Sequence, residues 1–336
     1  MRKTRPSRSL VATLVLAAAT SVPSAASAQS PQTPAPQTPA VPSGSPPALA
    51  ANLPLPARAR GQVLAVQVLL DHSGHSPGVI DGATGGNTVR AIKAFQRANG
   101  MAADGQISDA LMTALRAGYA GDLMQRYTIT DADIAGPFAP VPGTMEEQAK
   151  LASLGYESPA EALAEKFHMA QSFLKALNPG ADFGRAGTEI TVIVPGKSGL
   201  GAEVARIEVD KAASALRAYD AAGALVATFP ATIGSSTFPS PDGAMEVTAV
   251  AGAPTYHFDP EGRDWGPDKA LTIAAGPNNP VGGTWIDLSK AGYGIHGTPD
   301  PRLVGKTSSH GCVRLTNWDA AELAKAVSKG TKVEFV

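Results

Sequence analysis

The chain has 336 residues, 17% of them charged, and a formal net charge of −1. No basic stripe is present, so a nucleic-acid partner driven by charge is excluded. Hydrophobic residues at 43% suffice for packed cores, aromatics at only 5% make those cores aliphatic, and the length allows two or three domains.

The first residues read as an export signal rather than as fold. Arg2, Lys3, Arg5 and Arg8 precede a short apolar run, Leu10 to Ala19, and Ala26-Ser27-Ala28 supplies small residues before Gln29. This pattern predicts a signal peptide over 1–28, cleaved after Ala28. An uncleaved anchor is the competing reading, disfavoured because the apolar run is short for a bilayer. Residues 29–57 are dominated by Pro with Thr, Ser, Gln and Ala, which predicts a spacer without a core.

Residues 58–118 predict a small all-α module of three helices. Val63, Val66, Leu69 and Leu70 repeat at helical spacing. After a Gly-rich loop, Asn87 or Thr88 is expected to cap a second helix with the face Val89, Ile92 and Phe95. Ser108 is expected to cap a third, carrying Leu111 and Leu115. His72 and His75 have no third ligand nearby and read as loop or surface residues rather than a metal site. Residues 119–144 read as a connector ending at Pro137, Pro140, Pro142 and Gly143.

Over 145–197 a small α+β unit is expected. Ser158-Pro159-Ala160-Glu161 opens a helix with a capping serine, Pro at its first position and a Glu able to close a capping box. A second helix carries Phe173, Leu174 and Leu177 and stops at Asn178-Pro179-Gly180, and a strand follows over Glu189 to Val194. From 203 to 336 short β-favouring runs dominate, with a hairpin loop at Asp220-Ala221-Ala222-Gly223 and one helix from Thr316 or Asn317 to Gly330. That predicts a mostly-β domain, a sandwich or open barrel with one helix.

The chemistry concentrates near its end. The only cysteine, Cys312, lies in Ser309-His310-Gly311-Cys312-Val313-Arg314-Leu315, sixteen positions after His296 in Tyr293-Gly294-Ile295-His296-Gly297. One cysteine allows no internal disulfide, and an exported thiol without a structural use points to reactivity. A thiol of ordinary pKa needs a base, and an imidazole can form a thiolate–imidazolium pair with it. The N–H groups around Gly311 and Cys312 are candidates to hold an oxyanion. Zinc on His296, His310 and Cys312 is the alternative, but the spacing fits no common zinc pattern and the metal would occupy the nucleophile. No metal or cofactor is expected.

These motifs resemble three families. Gln67 to Leu70, Gly78-Val79-Ile80-Asp81-Gly82, Phe95-Gln96, Asn99-Gly100 and Asp104-Gly105 resemble the peptidoglycan-binding domain type 1, which implies a wall-binding accessory module. The segments 161–169, 174–180 and 187–195 resemble part of a lysin motif. His296 followed by Ser309-His310-Gly311-Cys312, with Thr232-Ile233-Gly234, Pro239 to Gly243, Gly276 to Gly282 and Asn317-Trp318-Asp319, resembles the L,D-transpeptidase catalytic domain. That last resemblance implies Cys312 as nucleophile and His296 as general base. It implies supporting or oxyanion roles for Ser309, His310, Gly311 and Gly297, and a stem-carboxylate role for Arg314. Some family members carry Ser after the histidine; here Gly297 leaves only a backbone carbonyl to orient the ring.

The family implies 3→3 cross-linking of peptidoglycan stems through a thioester, acylation by carbapenems, and a periplasmic or wall location. L,D-carboxypeptidase or hydrolase activity, attachment of an envelope protein, and a non-catalytic wall-binding protein remain the alternatives.

Overall fold

The computed structural model describes residues 58–261 and 265–336. The expected signal peptide and Pro-rich spacer lie outside these residues. Among the described residues no helix is long and apolar enough to cross a membrane.

The N-terminal module is helical, as expected: α1 (Arg58–His72), α2 (Gly86–Ala98) and α3 (Asp109–Gly118). Ser108 caps α3, its hydroxyl accepting from Leu111 N at 3.2 Å. The expected side-chain cap of α2 is absent; its N-cap is Gly85, and the helix starts one residue before Asn87. The Asn87 side chain instead donates to Val304 O at 2.9 Å.

α1 departs most from a simple amphipathic helix. Val66, Leu69 and Leu70 pack with Ile92, Phe95, Leu111 and Leu115, while Leu64 and Val68 enter a second core with Met124, Leu163, Leu174 and Ile190. Each fully buried aliphatic side chain contributes about 1.5–3 kcal/mol, so both cores depend on this helix. His72 and His75 are part of the packing. His72 stacks on Tyr119 at 3.7 Å, and His75 is buried edge-on to Phe95.

The connector is more ordered than its composition suggests. It holds β1 (Met124–Thr128), which pairs antiparallel with β2 (Glu189–Ile193), and a 3-10 turn at Asp131–Ile134 closed by a Thr130/Asp133 capping box. Three helices lie between these strands: α4 (Met145–Gln148), α5 (Pro159–Lys166) and α6 (Gln171–Leu177). Ser158 caps α5 with Pro159 at its first turn. The expected capping-box partner differs: Glu161 accepts from Glu157 N at 2.5 Å rather than from Ser158 N.

The C-terminal part is one strongly curled sheet, not two packed sheets. It contains β3 (Arg206–Asp210), β4 (Ala215–Tyr219), β5 (Leu225–Pro230), β6 (Gly243–Gly252), β9 (Thr284–Leu288), β10 (Gly294–His296), β11 (Val313–Arg314) and β12 (Lys332–Phe335). Its order is β11-β10-β9-β6-β12-β3-β4-β5. The chain beyond β5 returns to the first edge, where Thr232 exchanges both backbone hydrogen bonds with Arg314, at 2.9 and 2.8 Å. A parallel bridge joins Gly234 to Ser309, whose N–H donates to Ile233 O at 3.1 Å, so the sheet nearly closes. Its core contains Ile207, Val209, Leu216, Phe229, Val247, Ile286, Ile295, Val313, Leu315 and Val333. One helix, α7 (Asn317–Ala326), is capped by Thr316 and buries Leu323, ending four residues short of the expected Gly330. A separate hairpin, β7 (Tyr256–Phe258) with β8 (Leu271–Ile273), stands outside the sheet.

Candidate active site

Strand alternation places the chemistry. Ile295 pairs with Val313 and His296 with Arg314 across the parallel β10–β11 ladder. Ile295 and Val313 face the core, so His296 and Arg314 face the other side. Extending the register brings Cys312 to the same side, opposite Gly294. Strand spacings then put the Cα atoms of Cys312 and His296 about 8 Å apart, within reach of an imidazole and a thiol. Sequence positions sixteen apart are thereby neighbours on one surface. The Cys312 sulfur is half-buried and lies 3.6 Å from Gly292 O.

His296 is 3% exposed. Its Nδ1 lies 2.6 Å from Gly297 O, so the backbone carbonyl next to it sets the ring orientation. Burial, with the Arg314 charge adding to it, pushes the imidazole down to about 4, while the Gly297 and Val281 carbonyls pull the other way. The ring is therefore neutral at neutral pH. Trp285, its partner on β9, stacks on it at 5.4 Å. Gly294 leaves the room that the indole fills, since a Cβ there would run into the Trp285 ring.

The loop before the cysteine is held by side-chain bonds. Ser309 is buried; its hydroxyl donates to Cys312 O at 2.5 Å and accepts from Gly311 N at 3.1 Å. Gly311 has φ +113°, and a Cβ would meet Tyr293. The Ser240 hydroxyl donates to Gly311 O at 2.6 Å and accepts from Gly234 N at 3.0 Å. The N–H of Gly311, expected as an oxyanion donor, is thus committed to Ser309. His310 is exposed, stacks on Trp265 at 4.1 Å and lies tilted against Phe238 at 4.6 Å, away from a buried base position. Arg314 is half-buried, and its Nε has no hydrogen-bond partner among the described residues. Burial pushes the guanidinium down, while Cys312 and Tyr256 favour its charge. Among the described residues no carboxylate forms an ion pair with it.

A second tier was not singled out from sequence. Asn279, fully buried, donates to Ala274 O at 2.7 Å and accepts from Val281 N at 2.9 Å, which fixes the loop that brings Val281 to the imidazole. Asn317 Oδ1 accepts from Gly283 N at 3.2 Å and Thr298 N at 3.1 Å. Gly282 and Gly297 both lack the Cβ that would strike that oxygen. No group of three or more potential metal ligands is present among the described residues. A separate cleft of about 740 Å³ lies between α2 and β4–β5, lined by Arg90, Lys93, Arg97 and Arg217, and includes none of these side chains.

Residues 204–335 match the model of the L,D-transpeptidase catalytic domain, and residues 59–115 match that described as "Putative peptidoglycan binding domain". A YkuD protein of Bacillus licheniformis, named as an L,D-transpeptidase, is 32% identical over 175 residues, 52% of this chain and 92% of its own. YbiS of Escherichia coli K12, also named as an L,D-transpeptidase, is 30% identical over 193 residues, 54% of this chain and 61% of its own. Among solved structures, L,D-transpeptidase 3 from Mycobacterium tuberculosis with a faropenem-derived adduct is 14% identical. That match covers 45% of this chain and 74% of the other, with a TM-score of 0.34. The family assignment rests on the sequence matches.

Proposed function

The chain belongs to the L,D-transpeptidase family, and from that membership we propose that it forms 3→3 cross-links between peptidoglycan stems, with Cys312 as nucleophile and His296 as general base. The observation that carries the reading is the shared face of β10 and β11, which gathers His296, Cys312 and Arg314 at the curled sheet's first edge. Residues 59–115 hold the enzyme on its polymeric substrate, and residues 145–197 serve as a lysin-motif-like module. The first 28 residues direct export to the periplasm or wall.

The depressed imidazole decides the form of the chemistry. At rest the imidazole is neutral and able to accept a proton, rather than a standing imidazolium. As the sulfur attacks the carbonyl of the stem's third residue, the thiol proton passes to His296. The Gly297 carbonyl stabilises the imidazolium that forms. The tetrahedral oxyanion collapses, the C–N bond to the terminal D-alanine breaks, and the proton on His296 goes to the leaving amine. An amine of a second stem then attacks the thioester, the C–S bond breaks, and the amine proton passes through His296 back to the departing sulfur. Arg314 supplies positive charge for a stem carboxylate. Carbapenems acylate the same sulfur.

Purified protein incubated with tetrapeptide muropeptides tests the reaction by product mass. Cross-linked dimers are expected. Tripeptide monomers alone would make it a carboxypeptidase, and an adduct with an envelope protein would make it an attachment enzyme. No product and no carbapenem adduct on Cys312 would leave a wall-binding protein.

A further inference from the structure

α5 carries two carboxylates one helical turn apart, Glu161 and Glu165, which share a face. Each accepts from an asparagine of the catalytic part. Asn278 Nδ2 donates to Glu161 at 2.9 Å and to Gly155 O at 3.0 Å. Asn317 Nδ2 donates to Glu165 at 2.9 and 3.3 Å and to Pro277 O at 3.2 Å. The backbone repeats the link, with Leu154 N donating to Ala275 O at 2.9 Å and Asn278 N to Leu154 O at 3.0 Å. Gly276 makes that approach possible, because a Cβ there would collide with Leu154.

Asn317 is the point at which this contact reaches the imidazole. Its Oδ1 ties Gly283 to Thr298. Thr298 follows Gly297, whose carbonyl holds His296 Nδ1, and Gly283 ends the loop whose Val281 carbonyl also bonds the ring. A side-chain amide can turn over and exchange its oxygen for its nitrogen with little change of shape. Acceptors at Nδ2 prevent that, and Glu165, at 2.9 Å, is the shorter contact beside the Pro277 carbonyl at 3.2 Å. Glu165 is 7% exposed, and the groups facing it are Asn317, Glu161, Tyr156 and His168.

The geometry points to Glu165, which lies outside the catalytic domain, as a positioning residue for His296. It orients Asn317 so that the two backbone segments gripping the imidazole stay in register with Cys312. This rests on the reading of His296 as base. Burial, opposed by the Asn317 bond, holds its carboxyl up at about 7, so the acceptor is present as carboxylate or acid across the working range.

The test uses the full chain and four variants, Glu165→Ala, Glu165→Gln, Glu165→Asp and His296→Ala. The readouts are kcat and KM on a tetrapeptide muropeptide and the pH profile of acylation by a carbapenem. Glu165→Ala is expected to lower kcat about tenfold or more with KM within about twofold, because a small misplacement of a catalytic group is costly. Its acylation profile should move toward that of His296→Ala. Glu165→Gln keeps an acceptor for Asn317 and should stay within about threefold of wild type. A folded Ala variant with wild-type kcat and profile would overturn the inference, as would a Gln variant as impaired as Ala. If the Ala variant fails to fold, Glu165→Asp decides: it keeps the charge but withdraws the oxygens by one methylene, and an unchanged profile there is equally fatal. If His296→Ala itself acylates like wild type, the fault lies in the base assignment, and this inference falls with it.

Discussion

Asp319→Asn is expected to flatten the pH dependence of folding stability. Asp319 sits in the first turn of α7, 1% exposed. It accepts from Ser76 of the N-terminal module at 3.1 Å and lies near a second buried pair, His168 Nδ1 and Asp71 at 3.1 Å. Burial raises its carboxyl from 3.8 to about 7, with Thr316 and Ser76 opposing and the Asp71 charge adding. Between these values the native state keeps a proton that the unfolded chain has released. Stability from this group is therefore full below the unfolded pKa and is lost as pH rises through the folded one.

About three units at about 1.4 kcal/mol each give a ceiling of about 4 kcal/mol. Glu322, pushed up to about 8 by burial and the Asp319 charge, and His168, whose pKa is raised net despite burial because Asp71 favours its charge, act in the same direction; in the variant both lose the part of their shift that Asp319 supplies, which flattens the curve further. Urea unfolding from about pH 5 to 8 gives the assay, read by tryptophan fluorescence. Trp318 stacks on His168 at 5.0 Å and reports this cluster. The wild type should lose stability across the range, and the variant should lose about 2–3 kcal/mol less, the part of the ceiling that falls between about pH 5 and 7. Parallel curves would refute the argument.

Three further outcomes follow from the loop around the sulfur. Ser240→Ala removes the donor to Gly311 O and the acceptor of Gly234 N, and should cost about 1–3 kcal/mol in urea unfolding and slow acylation. Gly311→Ala forces a side chain into φ +113° against Tyr293, and should slow carbapenem acylation by more than about tenfold, given about 1–3 kcal/mol of strain. Wild-type adduct formation, followed by mass, would contradict it. His310→Ala should leave the pH profile of acylation unchanged, because its ring is exposed and stacked on Trp265. A shifted profile would mean that His310, not His296, handles the proton.

Local signals were readable where one residue type has one use. The caps Ser108 and Ser158, the start of the last helix at Thr316 or Asn317, and the pairing of a lone thiol with nearby histidines all stand in short stretches of chain. What escaped depends on distant partners. The strand Met124–Thr128 has few β-branched residues and is specified by pairing with Glu189–Ile193, about sixty positions on. Ser240, Asn279 and Asn317 stand inside segments that resemble the family, and Glu165 inside the lysin-motif-like one, but their bonds to Gly311, Val281, Thr298 and Asn317 exist only in the folded molecule. Gly311 read as an oxyanion donor because its bond to Ser309 is a property of the folded loop. The helical spacing of Val63, Val66, Leu69 and Leu70 does not show that a second core meets Leu64 and Val68 on α1.

The most direct measurement is the intact mass of protein quenched in acid during turnover of a tetrapeptide stem. A species heavier by the tripeptide acyl group is expected, localised to Cys312, with release of D-alanine, and it should disappear in Cys312→Ser. Cross-linked product formed at the wild-type rate by that variant would contradict it.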